Sequence, residues 1–145
     1  MKKLGALILM LVALAYLAAF VVRLDPDEQR PGTRLTGEKS SNLSPDWSGL
    51  TPRELIAVQT NTWYGIPHSV TTTTFVVDGE LYVPCAGCPE KRWPENVAED
   101  NRVVIQVQGK LFDRRAVRVT DPELRAAVFG DRITDELYLY HMAQP

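Results

Sequence analysis

The sequence predicts a mainly β chain with short marginal helices: a small antiparallel barrel preceded by an N-terminal transmembrane helix. Three observations lead there. The chain starts with a long uncharged apolar run, its body holds stretches of β-branched residues, and Asp78-Gly79 and Gly109-Lys110 separate such stretches at hairpin spacing.

After Lys2 and Lys3 the chain runs from Leu4 to Val22 without a charge and then meets Arg23. As a helix this run spans roughly 28 Å, close to the hydrocarbon thickness of a bilayer. A cleaved signal peptide also starts with a basic region, but its apolar core is shorter and ends in an A-x-A-like site. Here Ala13 and Ala15 lie in mid-run and the far end, AAFVVRL, is bulky. That favours an uncleaved signal anchor over residues 1–23. The two leading lysines favour a cytoplasmic start, so the body is expected in the periplasm of a bacterial cell, held by a single pass through the inner membrane. Residues 24–50 (LDPDEQRPGTRLTGEKSSNLSPDWSGL) are polar and rich in Pro, Gly and Ser, with no apolar period. They read as a flexible tether. Residues 51–145 suffice for one small domain. A formal charge of −2 without a basic stripe argues against a nucleic-acid partner.

Within the body, LTPRELIAVQTN carries a helix-start signal, with Thr51 as cap, Pro52 in the first turn and Glu54 completing a capping box. SVTTTTFVV and ELYVP, joined by Asp78-Gly79, read as a hairpin. Val70, Thr72, Thr74 and Val76 would share one face; Thr71, Thr73, Phe75 and Val77 the other. The threonines suit an ordinary strand and equally a ligand groove lined with hydroxyls. WPENVAEDN offers one or two helical turns. RVVIQVQGKLFDRRAVRV reads as a second hairpin, PELRAAVFG as a short helix opened at Asp121-Pro122 and closed by Gly130, and DELYLYHM as a last strand.

The chain's two cysteines, Cys85 and Cys88, lie in VPCAGCPEKRWPEN. Pro89 follows the second, where c-type haem attachment needs histidine. A zinc site could add only His68 and His141, at spacings that match no common module. A thiol-disulfide centre wants a helix after the CxxC and a parallel βαβ frame, whereas Pro89 and Pro94 interrupt the helix and hairpins surround it. A local structural disulfide, formed in an oxidising compartment, is the preferred reading. His68 and His141 read as turn or strand-end residues. No Ser–His–Asp order, Walker loop or GxGxxG is present.

Four segments in order, GIPHSVTTTTFVVDGELYVP, KRWPENVAEDNRVVIQVQG, KLFDRRAVRVTDPE and the terminal strand, resemble the split-barrel flavin-binding superfamily of pyridoxamine-phosphate oxidases and deazaflavin-dependent nitroreductases. The likeness runs from about Thr51 to Met142. It implies a split barrel that binds FMN or a deazaflavin and acts as an oxidoreductase on a small molecule, with two barrels commonly paired as a homodimer. It also implies cofactor contacts at Ser69, Thr71, Thr72 and Thr73 on the early strand, and at Lys91, Arg92 and Trp93 in the basic loop. Read without the resemblance, Lys91 and Arg92 are a solvated pair beside Glu90 and Glu95, and Trp93 is a core plug. Two alternatives follow: a cofactor-free binding or structural module at the membrane surface, and a thiol redox protein using Cys85 and Cys88.

Overall fold

A computed structural model describes residues 2–145. Helix α1 spans Lys2–Val21, with mean hydropathy 2.6 over Leu4–Val21 and none of that stretch buried. It is long and apolar enough to cross a bilayer, as a membrane anchor or a signal sequence does. The rest is an antiparallel half-barrel.

Eight strands follow: β1 (Glu38–Lys39), β2 (Leu55–Thr60), β3 (His68–Thr73), β4 (Phe75–Val77), β5 (Glu80–Cys85), β6 (Arg102–Val107), β7 (Lys110–Arg118) and β8 (Tyr138–Ala143). Helix α2 (Arg92–Glu99) precedes β6 and α3 (Pro122–Phe129) precedes β8. Strand order is β3-β2-β6-β7-β8-β5-β4, with β1 parallel to the start of β7. The two sheet edges, β3 and β4, are consecutive in the chain and separated only by Thr74. The chain therefore passes from one edge of the sheet to the other at that residue, which closes the barrel covalently. Thr74 is fully buried; its N–H donates to Glu54 O at 3.1 Å and its carbonyl accepts from Arg53 N–H at 2.9 Å. Between β3 and β5 there is no ladder, only Thr72 Oγ1 donating to Pro84 O at 3.4 Å. That gap is the split.

SVTTTTFVV is thus not one arm of a hairpin. β4 pairs with β5 across Asp78-Gly79, both with positive φ as the tight turn requires, but β3 pairs with β2. LTPRELIAVQTN departs further from its reading. Half of the capping box forms, with Thr51 N–H donating to Glu54 Oε2 at 3.0 Å, but Glu54 N–H donates to Thr51 O, which closes a turn and not a helix. Arg53 takes φ 65°, in the left-handed region, and Leu55–Thr60 runs on as a strand between β3 and β6.

One face of the sheet surrounds a core led by Val58, Leu81, Val83 and Ile105, all fully buried, with Trp47, Trp93, Phe112 and Tyr140 around them. Val70 and Val76 pack against it. Phe75 and Val77 turn the other way, into a smaller cluster of Tyr82, Val128, Phe129 and Leu139 beside α3. This is the face division expected from the alternation of the sequence.

The segment read as a flexible tether is laid on the barrel. Gly32 and Ser69 exchange two backbone hydrogen bonds at 2.8 and 3.1 Å. Leu35 is 2% exposed and its N–H donates to Gln59 Oε1 at 2.8 Å, while Gln106 Nε2 donates to Thr36 O at 2.5 Å. Trp47, 6% exposed, packs edge-on against Phe112 with centroids 5.1 Å apart. Burying Leu35 and Trp47 offsets the entropy of ordering this polar strap.

Candidate functional site

The gap between β3 and β5 opens outward into two adjoining clefts of about 590 and 360 Å³, both lined by Thr71, Thr72, Pro84, Lys91 and Glu28. The larger adds Thr73, Arg53 and Arg132 beside an apolar wall of Leu55, Phe75, Phe129 and Leu137. The smaller adds His68, Arg92 and Trp93 beneath the strap residues Asp27 to Pro31. Both volumes fall in the range that takes a small organic ligand.

Of the residues expected at a cofactor, Thr71, Thr72, Thr73, Lys91 and Arg92 come together here. Ser69 does not line the clefts: it is fully buried under Gly32 and its Oγ has no hydrogen-bond partner. Trp93 shows the small cleft only an edge. It is 3% exposed, with its ring 4.9 Å from that of Tyr140. Lys91 ends its strand-to-helix loop in an extended conformation just before α2, so Trp93 in the first turn roots the loop in the core while Lys91 and Arg92 stay outside.

Cys85 and Cys88 lie at disulfide distance, with Cα atoms 5.5 Å apart, at 3% and 1% exposure. They brace the same loop from the β5 side. Cys85 borders the smaller cleft, but at this burial an attacking thiolate has little access, which suits a staple better than a redox centre.

The electrostatics of the clefts are one-sided. Arg30, Arg53, Lys91, Arg92 and Arg132 share the clefts with Asp27 and Glu28, and among the described residues none of these five cations is in an ion pair. Arg92 donates only a long hydrogen bond, 3.4 Å, to Tyr64 Oη. His68 is half-buried; burial, with a smaller push from Arg92, holds its pKa below the ordinary 6.5, so it is neutral at pH 7. Arg53 and Arg132 are cationic contributions that the sequence did not reveal, because a turn and a distant 3-10 turn meet only in the folded barrel.

A second hollow of about 640 Å³ is lined by Asn61, Asp100, Arg102 and Asp113. Its carboxylates are already matched: Arg102 chelates Asp100 through contacts of 2.9 and 2.7 Å, and Lys39 meets Asp113 at 2.7 Å. Arg114 and Arg115 also line it and are in no ion pair among the described residues, so the hollow keeps cationic character. The Arg102 hydrogen bonds, helped by Asn61, hold the Asp100 carboxyl well below its usual 3.8. A depressed carboxyl stabilises the fold above its unfolded pKa and loses that contribution as pH falls through the folded value. Asp100→Asn should therefore lower the urea midpoint at pH 7, and the gap to the parent should narrow steadily below about pH 4. A gap independent of pH would contradict this.

No family model and no curated protein matches the chain. Solved structures do. General stress protein 26 of Bacillus anthracis matches at TM-score 0.54 and 15% identity, over 65% of this chain and 81% of that one. A Listeria innocua protein described as a pyridoxamine 5′-phosphate oxidase matches at 0.53 and 13%, over 62% and 82%. A protein of unknown function from Agrobacterium tumefaciens matches at 0.52 and 18%, over 64% of this chain; this chain spans about half of it, 49%. At these identities the likeness is one of fold, and the fold of this chain is the split barrel of the pyridoxamine 5′-phosphate oxidase-like proteins.

Proposed function

We propose that the chain is an exported, membrane-held split barrel that binds a phosphorylated flavin, FMN or a deazaflavin, in the cleft between β3 and β5 and acts as an oxidoreductase on a small molecule. The supporting observation is the cluster of five unpaired cations beside hydroxyl-bearing and aromatic walls. A phosphate takes charged donors, and Lys91, Arg92 and Arg132 supply them. A flat ring takes apolar walls and hydroxyl hydrogen bonds, which Phe75, Phe129, Leu137, Thr71 and Thr73 supply. When bound, the flavin would exchange a hydride or electrons with the substrate. The protein's part would be to orient both and limit water. α1 would be the anchor, with the body on the periplasmic side, and two copies would pair as a homodimer, which sedimentation of the detergent-solubilised chain tests.

The test is titration of the purified chain with FMN, a deazaflavin and riboflavin, which lacks the phosphate. FMN should bind more tightly than riboflavin. Lys91→Glu should weaken FMN roughly 10- to 100-fold, as losing a charge-assisted hydrogen bond of about 1.5–3 kcal/mol implies, and leave riboflavin nearly unchanged. If no flavin binds, or if Lys91→Glu affects both ligands equally, the reading is wrong. A cofactor-free module then takes its place, and one observation favours it: Asp27 and Glu28 already bring negative charge to the cations.

A further inference from the structure

The loop Asn61–Pro67 (NTWYGIP) presents Trp63 at 86% exposure, the most exposed large apolar side chain of the described barrel. Tyr64 and Ile66 beside it are partly exposed. An indole left in water needs a reason, and the loop's neighbour supplies one. Tyr16 Oη of α1 donates to Tyr64 O at 2.6 Å. Gly65, at φ 82°, lies so close to Phe20 that a Cβ there would sit 3.1 Å from the ring. Tyr16 and Phe20 stack edge-on, 5.1 Å apart, on the helix face that meets the loop.

Depth follows from helix geometry. Tyr16 lies five residues before the end of α1 at Val21, roughly 8 Å along the axis at 1.5 Å per residue. A loop bonded to Tyr16 is therefore level with the last turns of the apolar helix and not above them. Three of its carbonyls are bonded within the protein: Tyr64 O by Tyr16, Ile66 O by Thr62 Oγ1 at 2.7 Å, and Thr62 O by Gly65 N–H at 3.0 Å, which lowers the cost of setting the loop at a hydrated lipid interface. Arg23 follows the helix and Arg92 donates to Tyr64 Oη at 3.4 Å, so one cation stands at the end of α1 and another beside the loop.

We infer that Asn61–Pro67 is a membrane-docking loop, with Trp63 seated in the lipid interface. Tryptophan and tyrosine concentrate at that boundary because one end of each ring system is apolar and the other can be wet. Docked by both α1 and this loop, the barrel has a fixed orientation on the bilayer. The rim of the smaller cleft, at Arg92, lies one side chain from the headgroup layer, so a molecule bound there arrives at lipid level. This inference rests on α1 being an anchor, not on flavin binding.

The full chain, reconstituted into phosphatidylcholine–phosphatidylglycerol vesicles, tests it by quenching with lipids brominated near the headgroup end of the acyl chains. Trp47 and Trp93 are buried in the core, so one tryptophan of three should be quenched, a loss of roughly a third of the emission, and Trp63→Phe should abolish most of it. Flotation of the same vesicles separates the two readings. A chain that floats without quenching keeps its anchor and overturns the docking loop. A chain that fails to float overturns both. Quenching that survives in Trp63→Phe overturns the assignment to this loop.

Discussion

Trp93→Ala should cost about 3–5 kcal/mol of stability, the range for truncating a large buried aromatic. The whole fold of a domain this size is worth about 5–15 kcal/mol, so the variant should be near the edge of folding. Its urea midpoint should fall accordingly, with the slope unchanged. The reason is position. Trp93 is 3% exposed, lies against Tyr140, and shares one cluster with Cys85, Cys88 and Val97. It is the point at which the loop carrying Lys91 and Arg92 is fixed to the barrel. Trp93→Phe should keep most of the stability and leave FMN affinity almost unchanged if the indole is a root and not a cofactor wall. If Trp93→Ala shifted the midpoint little but abolished FMN binding, the core role assigned to this residue would be wrong.

The Asp78-Gly79 turn, α2, α3 with its Asp121 cap, and the face division of the threonine-rich stretch were legible because each depends on neighbours in sequence; the second hairpin turns one residue earlier than Gly109-Lys110, at Gln108-Gly109, with Val107 paired to Lys110. Asp121 Oδ1 accepts from Leu124 N–H at 2.9 Å, a contact contained in four residues. Leu55–Thr60 was misread for a physical reason. As a strand between two others, with five of its six residues buried, it shows a continuous apolar run and no alternation. Periodicity cannot separate such a run from a short buried helix, and a genuine Thr51–Glu54 capping contact tipped the choice. The strap failed differently. Leu35 and Trp47 are isolated apolar residues in a polar stretch, and only tertiary contacts reveal that they are core.

The same limit applies to the site. Thr71, Thr72 and Thr73 are adjacent, and Lys91 is adjacent to Arg92, so each group was visible; that the two groups line one gap follows from β3 and β5 being unpaired. Arg114 makes the point from inside. It is 3% exposed, with its guanidinium 5.5 Å from the Trp47 ring and 5.6 Å from Phe112. In sequence it is one of three arginines in a strand, and its burial depends on a tryptophan contributed by the strap.

Leu35→Ala should cost about 2–5 kcal/mol, and Gly32→Ala about 1–3 kcal/mol, because both release the strap. A methyl on Gly32 would overlap Leu24 O and come within 2.6 Å of Pro26 N and Ser69 Oγ; two of these are backbone atoms and cannot swing aside. The strap must lift, and the paired hydrogen bonds between Gly32 and Ser69 lift with it. Since the two substitutions act on one element, their effects should sum to less than the separate costs. The consequence for the site distinguishes two roles for the strap. Asp27 and Glu28 bring negative charge that outweighs the single cation, Arg30, on the same segment, so lifting it should tighten FMN binding roughly threefold, measured well below the melting temperature. Were the strap instead a wall of the ligand site, both variants would bind FMN more weakly, and the electrostatic account of Asp27 and Glu28 would fail. Charge neutralisation separates this from destabilisation: Asp27 and Glu28 are exposed. Glu28→Gln should reproduce part of the gain in affinity while leaving the unfolding free energy within about 0.5 kcal/mol of the parent.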